Sequence, residues 1–157
     1  MIEGQQIDIA MASPLFERGE KHELIIARVY EHVPGWAQAV QEPEQVEISK
    51  LNGLSNACYK VSLKSDVETA PNCPRTLLYR KFECEIVNKQ VEAALFESMS
   101  EAGLGPKLIY GCASFRIEGF FEGRPLTIWE MRNPVVMEEV VKAVHGMHTN
   151  HRATDAI

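Results

Sequence analysis

The strongest constraint in this chain is a pair of strand-like segments joined by a short turn of small and polar residues. Apolar residues recur through Val46 to Leu51 and Ala57 to Leu63, and the run Asn-Gly-Leu-Ser-Asn separates them at 52–56. Asn and Gly tolerate the backbone angles of a tight turn, so the pattern predicts a β-hairpin. The backbone N–H groups of such a turn can contact a phosphate, although most turns of this kind only join strands.

Further strands lie on both sides of one amphipathic helix. Apolar residues recur at four-residue steps from Ile86 to Ala102, which predicts a helix that Gly103 terminates. The apolar patterns before and after it predict three more strands, at Arg75 to Phe82, Leu108 to Cys112 and Ser114 to Phe120.

Helices are also predicted at the two ends of this region. Helical periodicity runs from Glu20 to Val33, and a short second helix follows around Trp36. Near the other end, Asn133 is a suitable N-cap for a helix whose first residue is Pro134. The rings of Trp36 and Trp129 are both interpreted as packing residues.

These elements predict an α+β lobe: a five-stranded antiparallel sheet with one central helix, preceded by N-terminal helices. Three regions are expected along the chain. A flexible leader covers 1–18, the lobe with its N-terminal helices covers 19–121, and a linker with the first helix of an absent C-terminal lobe covers 122–157.

The composition excludes several classes of protein. The net charge of -6 argues against nucleic-acid binding, which needs a basic surface. No apolar run is long enough to span a membrane and the N-terminus lacks the pattern of a signal peptide, so we expect a cytoplasmic protein that is not membrane-spanning.

Cysteine and histidine residues do not indicate a metal centre. The four cysteines have spacings that match no common zinc site and are interpreted as reduced thiols, with Cys58 and Cys112 as small core residues. His145, His148 and His151 recur every three residues on the last helix, and helix packing or solvent exposure is favoured over metal binding.

Two charged residues suggest a phosphate-binding pair. Arg80 lies on a predicted strand and Glu92 in the central helix, and a helical carboxylate can hold a strand-borne cation towards phosphate oxygens. The alternative is that both are unrelated surface residues. Glu85, Glu97 and Lys81 are rival partners for them.

An extended segment follows the last predicted strand. The run from Arg116 to Thr127 would leave the sheet with unpaired backbone N–H and C=O groups beside aromatic side chains, which suits the edge of an adenine ring. The alternative is an edge strand that leads into a turn.

Taken together, four runs of sequence resemble the choline/ethanolamine kinase family in the same order and at compatible spacing. The most distinctive are Leu-Gly-Pro-Lys-Leu and Glu-Gly-Arg-Pro-Leu, and the resemblance covers about residues 24 to 150. The four runs are 52–56, 77–80, 104–111 and 119–126.

The resemblance implies a protein-kinase-like N-terminal lobe with a role for each matching segment. The turn would be a flap over the ATP phosphates, and Arg80 would be the phosphate-facing cation with Glu92 as its helical partner. Glu118 to Phe121 would be the hinge, with backbone groups of Gly119 and Phe121 meeting the adenine. The flap residues expected to contact nucleotide are Gly53, Leu54, Ser55 and Asn56.

The resemblance also implies what this chain lacks. In the family the catalytic base and the Mg²⁺ ligands lie in a second lobe, so no catalytic and no metal-binding residue is expected here. The parent protein would be a choline kinase that uses ATP and Mg²⁺ to phosphorylate choline or ethanolamine in phospholipid synthesis, and this chain would be inactive alone. Alternatives are an ethanolamine kinase, another small-molecule kinase of the aminoglycoside-phosphotransferase-like class, or a non-catalytic dimerising module. A homodimer is a further expectation.

Overall fold

A computed structural model describes residues 20–52, 56–83 and 88–150 of the chain. Five strands form one antiparallel sheet in the order β1-β2-β3-β5-β4, which confirms the predicted α+β fold. The strands are β1 (Val46–Leu51), β2 (Asn56–Leu63), β3 (Thr76–Phe82), β4 (Leu108–Gly111) and β5 (Phe115–Gly119). The helices are α1 (His22–His32), α2 (Trp36–Ala39), α3 (Lys89–Glu101), α4 (Ile128–Met131) and α5 (Pro134–His148).

The predicted hairpin is present. β1 and β2 pair in register from Val46 opposite Leu63 to Leu51 opposite Cys58. The centre of the turn, residues 53–55, lies outside the described residues, and so do the predicted leader at 1–18 and His151.

One face of the sheet, here called the back face, carries the apolar core. Side chains alternate between the two faces of a strand, so Leu77 and Tyr79 of β3 and Ile117 of β5 lie on the same side. All three are fully buried, and α1 covers them with Ile25 and Val29, which are also fully buried. This packing fixes the sheet and leaves the opposite face, here called the front face, for other contacts.

Helix α3 begins later than its apolar periodicity predicted. Asn88 has extended backbone angles, and its side-chain oxygen accepts hydrogen bonds from the N–H groups of Gln90 and Val91. This is N-cap geometry, so the helix starts at Lys89, and the predicted start at Ile86 lies outside the described residues. The predicted end is confirmed, because Gly103 has a φ of +68° directly after the last turn.

The C-terminal helix follows the prediction, but the segment before it does not. Asn133 caps α5 through a hydrogen bond from the N–H of Val135, with Pro134 as the first helical residue. The predicted linker contains α4, because Thr127 and Glu130 form a capping box. Within the described residues, no helix is long and apolar enough to cross a membrane.

The two tryptophans have different environments. Trp36 is fully buried and its indole N–H donates to the carbonyl of Pro74 over 2.7 Å, as expected of a packing residue. Trp129 is 75% exposed, so its prediction as a packing residue is wrong. It lies on the short helix α4, whose four residues have no buried member.

Candidate functional site

The front face of the sheet carries charged residues at its centre. Arg80 of β3 lies opposite Cys58 of β2 on one side and Arg116 of β5 on the other. Glu118 lies two residues beyond Arg116 and therefore on the same face. The strand pairing thus brings together two guanidinium groups and one carboxylate that are up to 38 residues apart in sequence.

Arg80 is held by Glu118. Its Nε donates to Oε1 of Glu118 over 2.9 Å, and the carboxylate is fully buried whereas 27% of the Arg80 side chain is exposed. The guanidinium is therefore fixed at its inner edge and still reaches solvent on the front face. This is a suitable arrangement for a cation that meets an anionic ligand.

The expected direct pair between Arg80 and Glu92 is not formed. Instead, Oε1 of Glu92 lies 3.5 Å from Nη1 of Arg116. Nε of Arg116 in turn lies 3.6 Å from Oε2 of Glu118. The reason is geometric, because Arg116 lies on β5 between Arg80 and helix α3. Glu118 was not among the alternative partners that the sequence suggested, which were Glu85, Glu97 and Lys81.

Aromatic rings hold Arg116 in place. Its guanidinium carbon lies 3.6 Å from the ring centroid of Phe96 on α3 and 5.4 Å from that of Phe82 on β3. Arg116 is only 6% exposed, so its guanidinium makes contacts inside the protein. The Arg80 side chain is partly exposed and reaches the surface.

The pKa values of the two arginines are shifted in opposite directions. Burial is the largest influence and acts to lower the pKa of Arg80, but attraction to Glu118, Cys58 and Glu92 and the hydrogen bond to Glu118 together outweigh it, so the net pKa is raised. Burial also dominates at Arg116 and, with repulsion from Arg80, holds the pKa below its usual value. Both groups remain cationic at neutral pH.

Of the four flap residues expected to contact nucleotide, the structure describes Asn56 alone. Asn56 lies opposite Phe82, which is two residues from Arg80, so it belongs to the front face. Its side-chain oxygen accepts a hydrogen bond from the N–H of Glu83 over 3.3 Å, which orients the amide at the edge of the turn. Gly53, Leu54 and Ser55 lie outside the described residues.

Cys58 is a front-face residue next to Arg80. It is buried, as predicted, and burial raises the pKa of its thiol. Cys112, also predicted in the core, lies in the turn between β4 and β5 and is partly exposed. Among the described residues, no group of three or more His, Cys, Asp or Glu side chains is arranged to hold a metal ion.

The predicted hinge begins where β5 ends. The N–H of Gly119 donates to the carbonyl of Lys107 over 2.8 Å, so the carbonyl is the backbone group that Gly119 could offer to a base. Phe121 follows outside the strand and is 68% exposed. The side chain of Glu118 cannot face a ligand here, because it is fully buried between the two arginines.

Lys60 connects the front face to the hinge, a contact that the sequence did not indicate. Its Nζ lies 3.1 Å from the carboxylate of Glu122 and 4.5 Å from the ring centroid of Phe120. These contacts tie β2 to the segment after β5 across the intervening strand.

A cavity of about 630 Å³ lies elsewhere, between α3 and the β4–β5 turn. Phe96, Tyr110 and Cys112 line it, together with Arg116. Neither Arg80 nor Glu118 lines this cavity, so of the three central front-face charges it contacts Arg116 alone.

Comparison with known proteins identifies the family and the fold. The family model for choline/ethanolamine kinase matches residues 48–154, which include all five strands except the first two residues of β1. The chain belongs to the choline/ethanolamine kinase family. The match contains the front-face residues and the segment after β5.

Curated relatives of the family are 26% to 29% identical to this chain over the aligned residues. A choline/ethanolamine kinase of Mus musculus is 29% identical over 119 residues, which are 71% of this chain and 30% of the mouse protein. The probable choline kinase 3 of Arabidopsis thaliana is 29% identical over 126 residues, 78% of this chain and 36% of that protein. The chain thus spans about a third of the length of these relatives.

Solved structures give the same result. A choline kinase from Cryptosporidium parvum superposes with a TM-score of 0.66 and 25% identity, covering 78% of this chain and 33% of that one. A Plasmodium vivax ethanolamine kinase shares the fold, with a TM-score of 0.57 and 19% identity over 85% of this chain and 40% of the other. These likenesses confirm the predicted kinase-like lobe.

Sequence reasoning missed the ionic roles of Arg116 and Glu118. A signal was present, because the run Phe115-Arg116-Ile117-Glu118 alternates large apolar residues with opposite charges. In a strand, such alternation places both charges on one face at a spacing that allows an ion pair.

Proposed function

We propose that this chain is the ATP-binding part of a kinase that transfers the γ-phosphate of ATP to the hydroxyl of choline or ethanolamine. The observation that carries the proposal is the partly exposed guanidinium of Arg80, which buried Glu118 holds on the front face, where Asn56 also lies. Family membership supports the choice of kinase chemistry over the many other uses of an exposed arginine.

In this proposal each part of the front face has one task. Arg80 would contact phosphate oxygens, because a guanidinium keeps its charge and can donate to two oxygens at once. The flap residues 53–56 would close over the same phosphates. The carbonyl of Gly119 and the N–H of Phe121 would meet the adenine edge.

The remaining parts of the reaction are proposed to come from outside this chain. Mg²⁺ would accompany ATP and neutralise charge on the phosphates when bound. Its ligands, the base and the pocket for the quaternary ammonium or amine are those that the resemblance assigns to a second lobe. We therefore expect the 157-residue chain to be inactive alone, and choline phosphorylation by the purified chain would contradict this.

The assignment of ATP can be tested on the chain as it stands. In a ¹⁵N–¹H NMR titration with MgATP, we expect shifts at the amides of Asn56, Arg80, Gly119 and Phe121. Binding should be weak, because half of the cleft is proposed to come from the second lobe. If no shifts appear up to roughly 10 mM nucleotide, the favourable free energy of binding is less than about 3 kcal/mol. That result would refute the role proposed for this chain.

Arg80 provides the residue-level test. Arg80→Met should weaken MgATP binding about tenfold or more, since hydrogen bonds to charged groups contribute roughly 1.5–3 kcal/mol. Arg132→Met is the matched control, because it removes an exposed guanidinium at the end of α4 and should leave the affinity unchanged. Equal losses in the two variants would argue against a specific phosphate contact.

The acceptor must be tested in a longer polypeptide that contains this chain. There, Arg80→Ala should raise KM for ATP far more than KM for choline or ethanolamine. Equal effects on both substrates would contradict the proposed role. Comparing kcat/KM for the two acceptors then decides between a choline kinase, which we propose, and an ethanolamine kinase.

A non-catalytic binding module is a second candidate, favoured by the apolar surface of α4 and α5. Ile128, Trp129 and Val135 are each at least 66% exposed there. Light scattering of the chain, alone and mixed with a longer kinase of the family, tests this. A concentration-dependent dimer or a stable mixed complex without MgATP binding would favour the module over the nucleotide-binding role.

A further inference from the structure

We infer that Glu118 of β5, rather than Glu92 of α3, positions Arg80 for nucleotide, and that Arg116 links Glu118 to α3. The inference rests on the proposed function for its consequence, since it concerns how the phosphate-facing cation is held. It differs from the arrangement in protein kinases, where a helical glutamate pairs directly with the strand-borne cation.

The contact that carries the inference joins Nε of Arg80 and Oε1 of Glu118 at 2.9 Å. Hydrogen bonds of this length between ionised groups are among the strongest in proteins. The carboxylate is fully buried, so water does not compete for it. Within the described part of the chain, the hydrogen-bonded anchor of Arg80 therefore comes from the neighbouring strand.

Strand register explains why the anchor is needed. Arg80 and Arg116 are directly opposite each other on β3 and β5, where like charges repel. Glu118 lies on the same face and contacts both, with Oε1 towards Arg80 and Oε2 towards Arg116. Glu118 thus compensates both adjacent cations, and Glu92 of α3 adds a second carboxylate 3.5 Å from Arg116.

Helix α3 reaches this carboxylate through Arg116. Phe96 and Glu92 of α3 hold the Arg116 guanidinium, at 3.6 Å from the ring centroid and 3.5 Å from the carboxylate. Among the described residues, Nε of Arg116 and Oε2 of Glu118 are buried without a hydrogen-bond partner. They are 3.6 Å apart, so a movement of roughly half an ångström would bring them to hydrogen-bond distance.

This loose contact has a functional consequence. A shift of α3 towards β5 would tighten the bond from Arg116 to Glu118, and the second oxygen of the same carboxylate holds Arg80. The position of α3 therefore affects Arg80 through two contacts, from Arg116 to Glu118 and from Glu118 to Arg80. A direct pair of Glu92 with Arg80 would couple them through one contact. Loss of Glu92 should consequently matter much less than loss of Glu118.

The direct test is spectroscopic and needs no ligand. In the unmodified chain, the Nε–H proton of Arg80, assigned with Arg80→Met, should be shifted downfield and protected from exchange. It should lose that protection in Glu118→Gln and keep it in Glu92→Gln, which makes the same chemical change at the helical carboxylate. If Glu118→Gln does not fold, the unmodified chain still decides: an Arg80 Nε–H that exchanges as fast as that of exposed Arg132 would overturn the inference.

Nucleotide affinity provides the functional arm. We expect Glu118→Gln to weaken MgATP binding about tenfold, which corresponds to about 1.4 kcal/mol, and Glu92→Gln to weaken it less than about threefold. Equal losses, or a larger loss in Glu92→Gln, would overturn the positioning role. If Arg80→Met itself leaves the affinity unchanged, the proposed function fails, while the spectroscopic result still decides the pairing.

Discussion

Strand β5 is buried on both sides, yet its two faces have opposite chemistry. Phe115 and Ile117 point to the back face and join the apolar core. Arg116 and Glu118 point to the front face and are equally buried, but as charges. Four consecutive residues therefore divide into a face built for stability and a face whose burial is unfavourable unless charges compensate each other.

Polar groups on the two faces differ in how well they are satisfied. On the back face, the hydroxyl of Tyr79 donates to Glu20 over 2.5 Å and accepts from Arg28, and Arg28 also donates to Glu20 over 2.6 Å. On the front face, Nε of Arg116 and Oε2 of Glu118 have no hydrogen-bond partner among the residues that the structure describes. A fully satisfied cluster fixes structure, whereas an incompletely satisfied one retains capacity to rearrange or to bind.

The largest expected effect comes from the back face. Ile117→Ala should lower the free energy of unfolding by about 2–5 kcal/mol, because it removes a fully buried side chain and leaves a cavity. Val135→Ala is the control, since Val135 is 69% exposed and should change stability by less than about 0.5 kcal/mol. Urea unfolding of both variants measures this, and a similar loss in each would remove the distinction between core and surface.

Alkaline pH should weaken the back face through Tyr79. Burial, then the hydrogen bond to Glu20, raises the pKa of this phenol far above its ordinary value of 10.0. The unfolded chain therefore releases the proton first, so the contribution of this group is complete below about pH 10 and is lost as the pH rises further. Unfolding measured from pH 8 to 11 should show a steeper decline in the natural chain than in Tyr79→Phe, and parallel curves would contradict this.

The front face should tolerate the loss of all its central charges better than the loss of one. Replacing Arg80, Arg116 and Glu118 together by Met, Met and Leu should leave the stability within roughly 1 kcal/mol of the natural chain, because buried ion pairs often contribute little net stability. Glu118→Leu alone should be more destabilising, since it leaves two facing guanidiniums. Urea unfolding of the single and triple variants tests the comparison, and a triple variant less stable than the single one would show that these charges hold the fold.

The smallest effect is expected at the surface, in α4. A two-point hydrogen bond from Arg124, then bonds from the backbone and hydroxyl of Thr127, lower the pKa of Glu130 to about 2. The sign follows: this capping interaction is present above the ordinary value of 4.5 and is lost as the pH falls through about 2. A carboxyl NMR titration should find the lowered pKa in the natural chain and a higher one in Arg124→Met, with little change in global stability.

Much of the fold could be predicted because the relevant signals are local. Alternating apolar residues defined all five strands to within about one residue, and Asn133 with Pro134 defined the start of α5. The start of α3 was misplaced because apolar periodicity continues through a residue that acts as an N-cap. Trp129 was misjudged because a large ring predicts packing only where a surface is available to cover it.

The sequence by itself determined the order of the elements, the family and the position of the Arg80 cation on a strand of the sheet. The tertiary structure decided which carboxylate holds that cation. β3 and β5 are neighbours in the sheet although α3 and β4 lie between them in the chain, so the partner of Arg80 depends on strand order and register. Local patterns reveal which residues share a face, but contacts between strands distant in sequence form only when the whole sheet assembles.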